Sequence, residues 1–187
     1  MNKYKILKDQ YVEVCGKKLY RVQALKDFDG VKAGDTGGYI ESESNLSQSD
    51  NAWVSGDAWV SDNAWVSDNA QVCGDARVCG NAQVSGNAWV CGNAQVYGNA
   101  RVCGNAWVCG TRHYLNLGPI GSRDGYTTIY RDKNKKAIVV CGCFLGSLDE
   151  FERAVRKTHT GTKYEAEYMA LIQLARLREK EWLDETD

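Results

Sequence analysis

Between positions 118 and 125 the chain reads Gly118-Pro119-Ile120-Gly121-Ser122-Arg123-Asp124-Gly125, a glycine-rich stretch with one hydroxyl and one guanidinium. Backbone N–H groups exposed by such a turn can cradle an anion, and arginine adds bidentate donors for phosphate or carboxylate. The spacing is neither that of a P-loop nor that of a dinucleotide-binding turn, and an ordinary loop is the plainer reading of a Gly-rich turn. Folded beside it, Arg112, His113 and Arg131 would make a basic pocket. Gly121, Ser122, Arg123, Arg131, Arg112 and His113 are therefore the candidate ligand-binding residues. Further along, Cys141-Gly142-Cys143 ends a strand-like run ahead of a helix, where a thiolate can be activated, and His159 could act as its base. Strand cysteines are more often buried filler, so no catalytic residue is assigned.

The element that must hold this segment in place is a repeat. From Asn51 to Gly110 ten successive hexads follow the form Asn/Asp-Ala-x-Val-(Ser/Cys/Tyr)-(Gly/Asp), and no position slips. Alternation points Ala and Val to one side and x to the other, the period of a half-buried strand. The Gly/Asp-Asn/Asp pair then turns the chain at low cost. The pattern resembles the left-handed, triangular type of parallel β-helix, in which three hexads, or 18 residues, make one coil. Sixty residues give about three and a third coils and a prism about 16 Å tall, at about 4.8 Å per coil. Its open ends need caps.

The expected fold is mainly β: a left-handed parallel β-helix with an N-terminal cap and a small C-terminal α+β module. Ile40 and Leu46 keep the alanine phase, so a degenerate coil should begin near Gly38. That divides the chain into a strand-rich cap at 1–37, the β-helix at 38–110 and a ββαα module at 111–187. In the module, Thr127 to Tyr130 and Ala137 to Val140 read as a hairpin. Ser147 followed by Glu150 is a capping box for a helix from Leu148 to about Lys157, and a second helix runs from Lys163 to about Trp182.

Folding the hexads by 18 places Trp53, Gln71, Trp89 and Trp107 on one outer face. Trp59, Arg77 and Gln95 fall on the second, and Trp65, Gln83 and Arg101 on the third. Each indole offers about 150 to 250 Å², so three left bare on one face would rival the largest exposed patch of a typical monomer. Half-burying them would contribute about 6 kcal/mol per chain, comparable to the lower estimates of association cost. A homotrimer with Trp53, Trp89, Trp107 and Gln71 at its interface is expected. The other reading is that the chain's own C-terminal segment covers this face.

Cys73, Cys91 and Cys109 also recur at 18, but Ser55, Ser61, Ser67 and Ser85 share their slot, and no CxxC pair or nearby His completes a tetrahedral set. No metal and no cofactor are expected. Hexapeptide-repeat acyltransferases commonly use a His base on the prism, and the carbonic-anhydrase branch needs three His on zinc. Residues 51–110 contain no His, and His113 and His159 are the two in the chain.

Among 187 residues, 23 Lys and Arg nearly cancel 24 Asp and Glu, so no global basic field exists for duplex nucleic acid or an anionic membrane. No apolar run approaches the roughly 18 residues of a membrane span. The start has Lys at 3, 5 and 8 without an apolar core, so no secretory signal is read there. A cytoplasmic protein with eight free thiols and no bridges is expected.

Val31-Lys32-Ala33-Gly34-Asp35-Thr36-Gly37-Gly38-Tyr39-Ile40, followed by Asn45-Leu46-Ser47 and the Asn-Ala-Trp-Val hexads, resembles bacteriophage and prophage hexapeptide-repeat proteins. So does Ile120-Gly121-Ser122-Arg123 with the run from Cys141 to Phe151. The resemblance covers most of the chain. It implies a phage-encoded left-handed β-helix protein in the cytoplasm of a bacterial host, and it carries over no catalytic residues. These readings favour a non-enzymatic, oligomeric binding protein. It would be a counter-defence factor that sequesters a phosphorylated or nucleotide-like immune signal or binds a host immune component. Ser122 and Arg123 would hold phosphate, Arg131 or Arg112 would add charge, and a Trp or Tyr would stack on a base, worth about 1 to 3 kcal/mol. The alternatives are an adaptor docking another protein through its Trp face and a hexapeptide-repeat acyltransferase.

Overall fold

A computed structural model describes residues 2–185. The chain opens with β1 (Tyr4–Val14), β2 (Lys17–Ala24) and β3 (Thr36–Ile40). Each hexad then forms a two-residue strand at its x-Val pair: β4 (Trp53–Val54), β5 (Trp59–Val60), β6 (Trp65–Val66), β7 (Gln71–Val72), β8 (Arg77–Val78), β9 (Gln83–Val84), β10 (Trp89–Val90), β11 (Gln95–Val96), β12 (Arg101–Val102) and β13 (Trp107–Val108). Four longer strands follow, β14 (Tyr114–Ile120), β15 (Gly125–Arg131), β16 (Ala137–Cys141) and β17 (Phe144–Ser147), and then α1 (Leu148–His159) and α2 (Lys163–Asp184).

The hexad strands stack in parallel with an offset of 18, Trp53 opposite Gln71 and Trp89 opposite Trp107, which makes a three-sided β-solenoid. Trp53 N donates to Ala70 O at 3.0 Å and Gln71 N to Ala88 O at 2.9 Å, so each coil satisfies the amides of the one before it. Every hexad Ala and Val is at most 1% exposed and together they fill the interior. The corners are also bonded. Asn51 hydrogen-bonds Asn69 at 3.0 Å, Asn69 bonds Asn87 at 3.2 Å, and Asn63 bonds Asn81 at 3.1 Å. Where Asp62 and Asp68 replace the corner glycine at φ 58° and 57°, their carboxylates accept the N–H of Gly80 and Gly86 one coil on, at 2.9 and 2.8 Å. That contact offsets part of the left-handed strain.

Ile40 and Leu46 are buried, but not in the alanine phase. They pair with Val60 and Val66, an offset of 20. The first coil is therefore two residues longer than the rest. The length lies between Leu46 and Trp53, and there Gln48 Oε1 accepts the backbone N–H of Lys3 at 2.9 Å and of Tyr4 at 3.2 Å. The fully buried Lys3 donates through Nζ to Ala52 O at 2.7 Å and Ser49 O at 3.1 Å, satisfying carbonyls at the open end, and burial pulls its pKa down to about 8. β1, β2 and β3 extend the second face into one six-stranded sheet, β1-β2-β3-β5-β8-β11.

The same cap hides an indole expected at an interface. Trp53 packs against Phe28 at 5.3 Å and Tyr4 at 6.4 Å between ring centroids and is 4% exposed. Sequence periodicity placed it on the outer face correctly, but the covering residues come from a distant, non-repeating segment.

At the other end Thr128 Oγ1 accepts Arg101 N at 3.0 Å and Tyr130 OH donates to Cys103 O at 2.9 Å, laying β15 across the last coil. The expected hairpin is the middle of a four-stranded antiparallel sheet, β14-β15-β16-β17. β14 contains Gly118-Pro119, the start of the stretch whose plainer reading is an ordinary loop. The capping box is present, with Ser147 N donating to Glu150 Oε2 at 2.8 Å, and each helix ends two residues beyond its expected limit. α1 and α2 cover the sheet through Phe151, Val155, Ile172 and the fully buried Trp182. No helix among the described residues is long and apolar enough to cross a membrane.

The thiols are not all free. Cys91 and Cys109 form a disulfide with a Cα separation of 4.3 Å, because stacking by 18 sets equivalent positions one strand spacing apart. Cys73, one coil below, stays a thiol.

Trp53→Ala should cost about 3 to 5 kcal/mol by denaturant unfolding. Trp65→Ala, at a 48% exposed site, should stay within about 0.5 kcal/mol.

Candidate functional site

The cavity of about 520 Å³ between the last full coil and the C-terminal module brings together residues from six elements and three turns. β12 contributes Arg101, held by a 3.1 Å bond from its Nη1 to Gly142 O, and the β14–β15 turn contributes Ser122 and Arg123. Tyr126, Phe144, Phe151 and Tyr168 supply aromatic walls. Cys141, Cys143 and His159 complete the lining that matters chemically. Phe151, Val155 and His159 reach it together because spacing by four puts them on one face of α1.

Tyr168 anchors the inner wall. Its ring packs edge-on to Phe151 at 5.5 Å and tilted against His159 at 5.5 Å. Its hydroxyl oxygen accepts Cys141 Sγ–H at 3.9 Å, and Cys141 Sγ accepts Thr127 Oγ1–H at 3.2 Å. Burial, reinforced by Cys141, pushes the phenol up to about 12 against the opposing pull of Arg123, so it remains a neutral donor. Gly121, at φ 73°, lies where any Cβ would overlap the Tyr168 hydroxyl. The wall is consequently apolar and aromatic, with the exposed guanidinium groups of Arg101 and Arg123 among its polar members.

The six residues expected in one basic pocket fall into three places. Ser122 and Arg123 line the cavity. Gly121 sits beside it, but its N–H donates to Glu167 Oε2 at 2.7 Å, so the anion cradle read from the sequence already holds the chain's own carboxylate. Arg112, His113 and Arg131 are at the far end of the β14–β15 pair, where Tyr114 opposes Tyr130. Seven extended residues put them roughly 20 Å from the turn. There they bind the end of α2. Arg112 Nη2 meets Glu181 Oε2 at 2.7 Å, Arg131 Nη1 meets Glu185 Oε2 at 2.8 Å and His113 Nε2 meets the same oxygen at 2.9 Å. Arg101, Tyr126 and Phe144 were missed as site residues. Nothing local marks them, since the solenoid and the sheet meet only in three dimensions.

On the first face Trp89 and Trp107 stack at 5.1 Å and are 40% and 37% exposed, while Gln71 is half-buried and donates to Asn51 O at 3.0 Å. Without Trp53 the open indole surface is roughly 200 Å², far below the roughly 800 Å² per partner of a stable interface. The tryptophans alone therefore do not define a trimer contact. Among the described residues no group of three or more His, Cys, Asp or Glu is placed to hold a metal.

The family model for the YdcK beta solenoid repeat matches residues 70–86, 76–92 and 94–110. These segments lie within the stacked hexads, so the chain is similar to that family in its repeat, and the match does not reach the module that builds the cavity. No curated protein matches the chain.

His113 makes the far end sensitive to acid. Its Nδ1 accepts Cys109 N–H at 3.1 Å, which leaves the single proton on Nε2 facing Glu185. Burial, followed by the charge of Arg131, lowers its pKa below the ordinary 6.5 in spite of Glu185. Below about pH 6.5 the unfolded chain takes up a proton that the folded one refuses, so stability should fall as pH drops through that window. Denaturant unfolding across this range should show the loss, and His113→Gln should flatten it. An identical pH profile in the variant would assign the effect elsewhere.

Proposed function

We propose that the protein is a non-catalytic binding protein whose C-terminal cavity captures a small phosphorylated, nucleotide-like molecule. In the phage setting that the sequence resemblance implies, that molecule is an immune signal of the bacterial host, and the protein is a counter-defence factor acting by sequestration in the host cytoplasm. The observation that carries this reading is the cavity itself. Its volume of about 520 Å³ falls in the range of small-ligand pockets, about 300 to 1,000 Å³, and its mix of apolar walls with a few polar groups suits such a ligand. Tyr126 and the other ring faces offer stacking platforms for a base, worth about 1 to 3 kcal/mol. Arg123 and Arg101 offer the phosphate two guanidinium partners, with Ser122 adding a hydroxyl.

Native mass spectrometry of the protein isolated from bacterial cells should reveal a retained small molecule with the mass of a phosphorylated compound. Arg123→Ala, at an exposed turn, should leave the melting temperature unchanged and weaken retention by about 10- to 100-fold. Equal retention by the variant would discard the pocket assignment.

A further inference from the structure

The first face of the solenoid has a second opening that capture at the C-terminal cavity does not use. A groove of about 460 Å³ runs beside the loop that follows β2. Trp53 and Trp89, two coils apart on one face, both line it, and Ser55, Gln71 and Cys73 lie between them along the solenoid. Asp29 and Asp35 line it from the loop. No lysine or arginine is among its lining residues.

The groove has two features that together select a ligand charge. The Trp89 ring is held in place, because its Nε1 donates to Cys73 Sγ at 3.1 Å and it packs against Trp107 at 5.1 Å. Its polar edge is thus engaged within the chain, and its π system remains as contact surface for an occupant. The two carboxylates repel anions, and among the described residues Asp35 engages Oδ2 alone, accepting Lys32 N–H at 2.8 Å. A positive group gains from both features, since indole faces attract cations and the carboxylates pair with them. The neighbouring packing already uses this chemistry, with Lys3 Nζ lying 5.2 Å from the centroid of Phe28, whose ring packs on Trp53.

We propose that this groove is a binding site for a small polyamine, with one ammonium against the Trp89 ring and others paired to Asp29 and Asp35. Two carboxylates in a groove longer than a single ammonium match a molecule with several amines along a flexible chain. The site is independent of the C-terminal cavity.

Isothermal titration with spermidine near physiological salt tests it. Wild-type protein should bind one spermidine saturably, and triethylene glycol, a neutral flexible chain, should give no saturable heat. The Asp29→Asn, Asp35→Asn double variant keeps side-chain shape, the acceptor for Lys32 N–H and a residue suited to the positive φ of 36° at position 29. It should weaken binding about tenfold or more at an unchanged melting temperature. Trp89→Leu should weaken it similarly, and Arg123→Ala should leave it unchanged. Absence of saturable spermidine binding, wild-type affinity in the double asparagine variant, or equal binding of triethylene glycol would each overturn the proposal.

Discussion

Alternate amides of the regular coils donate to the carbonyl seventeen residues further along, and nearly everything else in the molecule follows from that ladder. It lets two-residue strands, too short to persist alone, act as long parallel sheets. It places identical slots one strand spacing apart, so alanine stacks on alanine and valine on valine in a dry interior. The asparagine columns at the corners and the Cys91–Cys109 bond use the same superposition. A ladder of this kind cannot end without leaving unpaired carbonyls and amides, which are expensive when water is excluded. Lys3 and Tyr4 answer that at one end, and Thr128, Tyr130 and Tyr114 answer it at the other.

The candidate site lies where this regularity stops. Arg101 is an outward side chain of a repeat strand, ordinary in its own coil, and it becomes part of a cavity because β15 caps the coil and carries the module alongside. The module supplies the aromatic walls and the Ser122-Arg123 turn, while the solenoid supplies a rigid wall against which they are positioned. The salt-bridged end of α2, with Arg112, His113 and Arg131, fixes the module from the opposite side and leaves the cavity end open.

The repeat was fully legible from the residues. Its phase, the 18-residue coil, the three faces and the inward Ala and Val are local patterns repeated ten times, and the capping box at Ser147 and Glu150 is equally local. What escaped depended on distant segments meeting. Ile40 and Leu46 read as alanine-phase residues until the longer turn after Leu46 shifted them beneath Val60 and Val66. Trp53 looked bare because Phe28 and Tyr4 belong to no repeat. The pairing of Cys91 with Cys109 was hidden by an argument from compartment that outweighed their visible spacing of 18. The basic cluster around Ser122 dissolved because proximity in sequence was read as proximity in space, although β14 and β15 carry Arg112 and Arg131 away from the turn that joins them.

Scalar couplings transmitted through hydrogen bonds, observed by NMR on labelled protein, test the ladder most directly. The amide nitrogens of Trp53, Gln71 and Trp89 should couple to the carbonyl carbons of Ala70, Ala88 and Ala106 respectively. Couplings from these amides to carbonyls of the adjoining hexads would instead mean that the strands fold back on their sequence neighbours, and the coiled architecture would be contradicted.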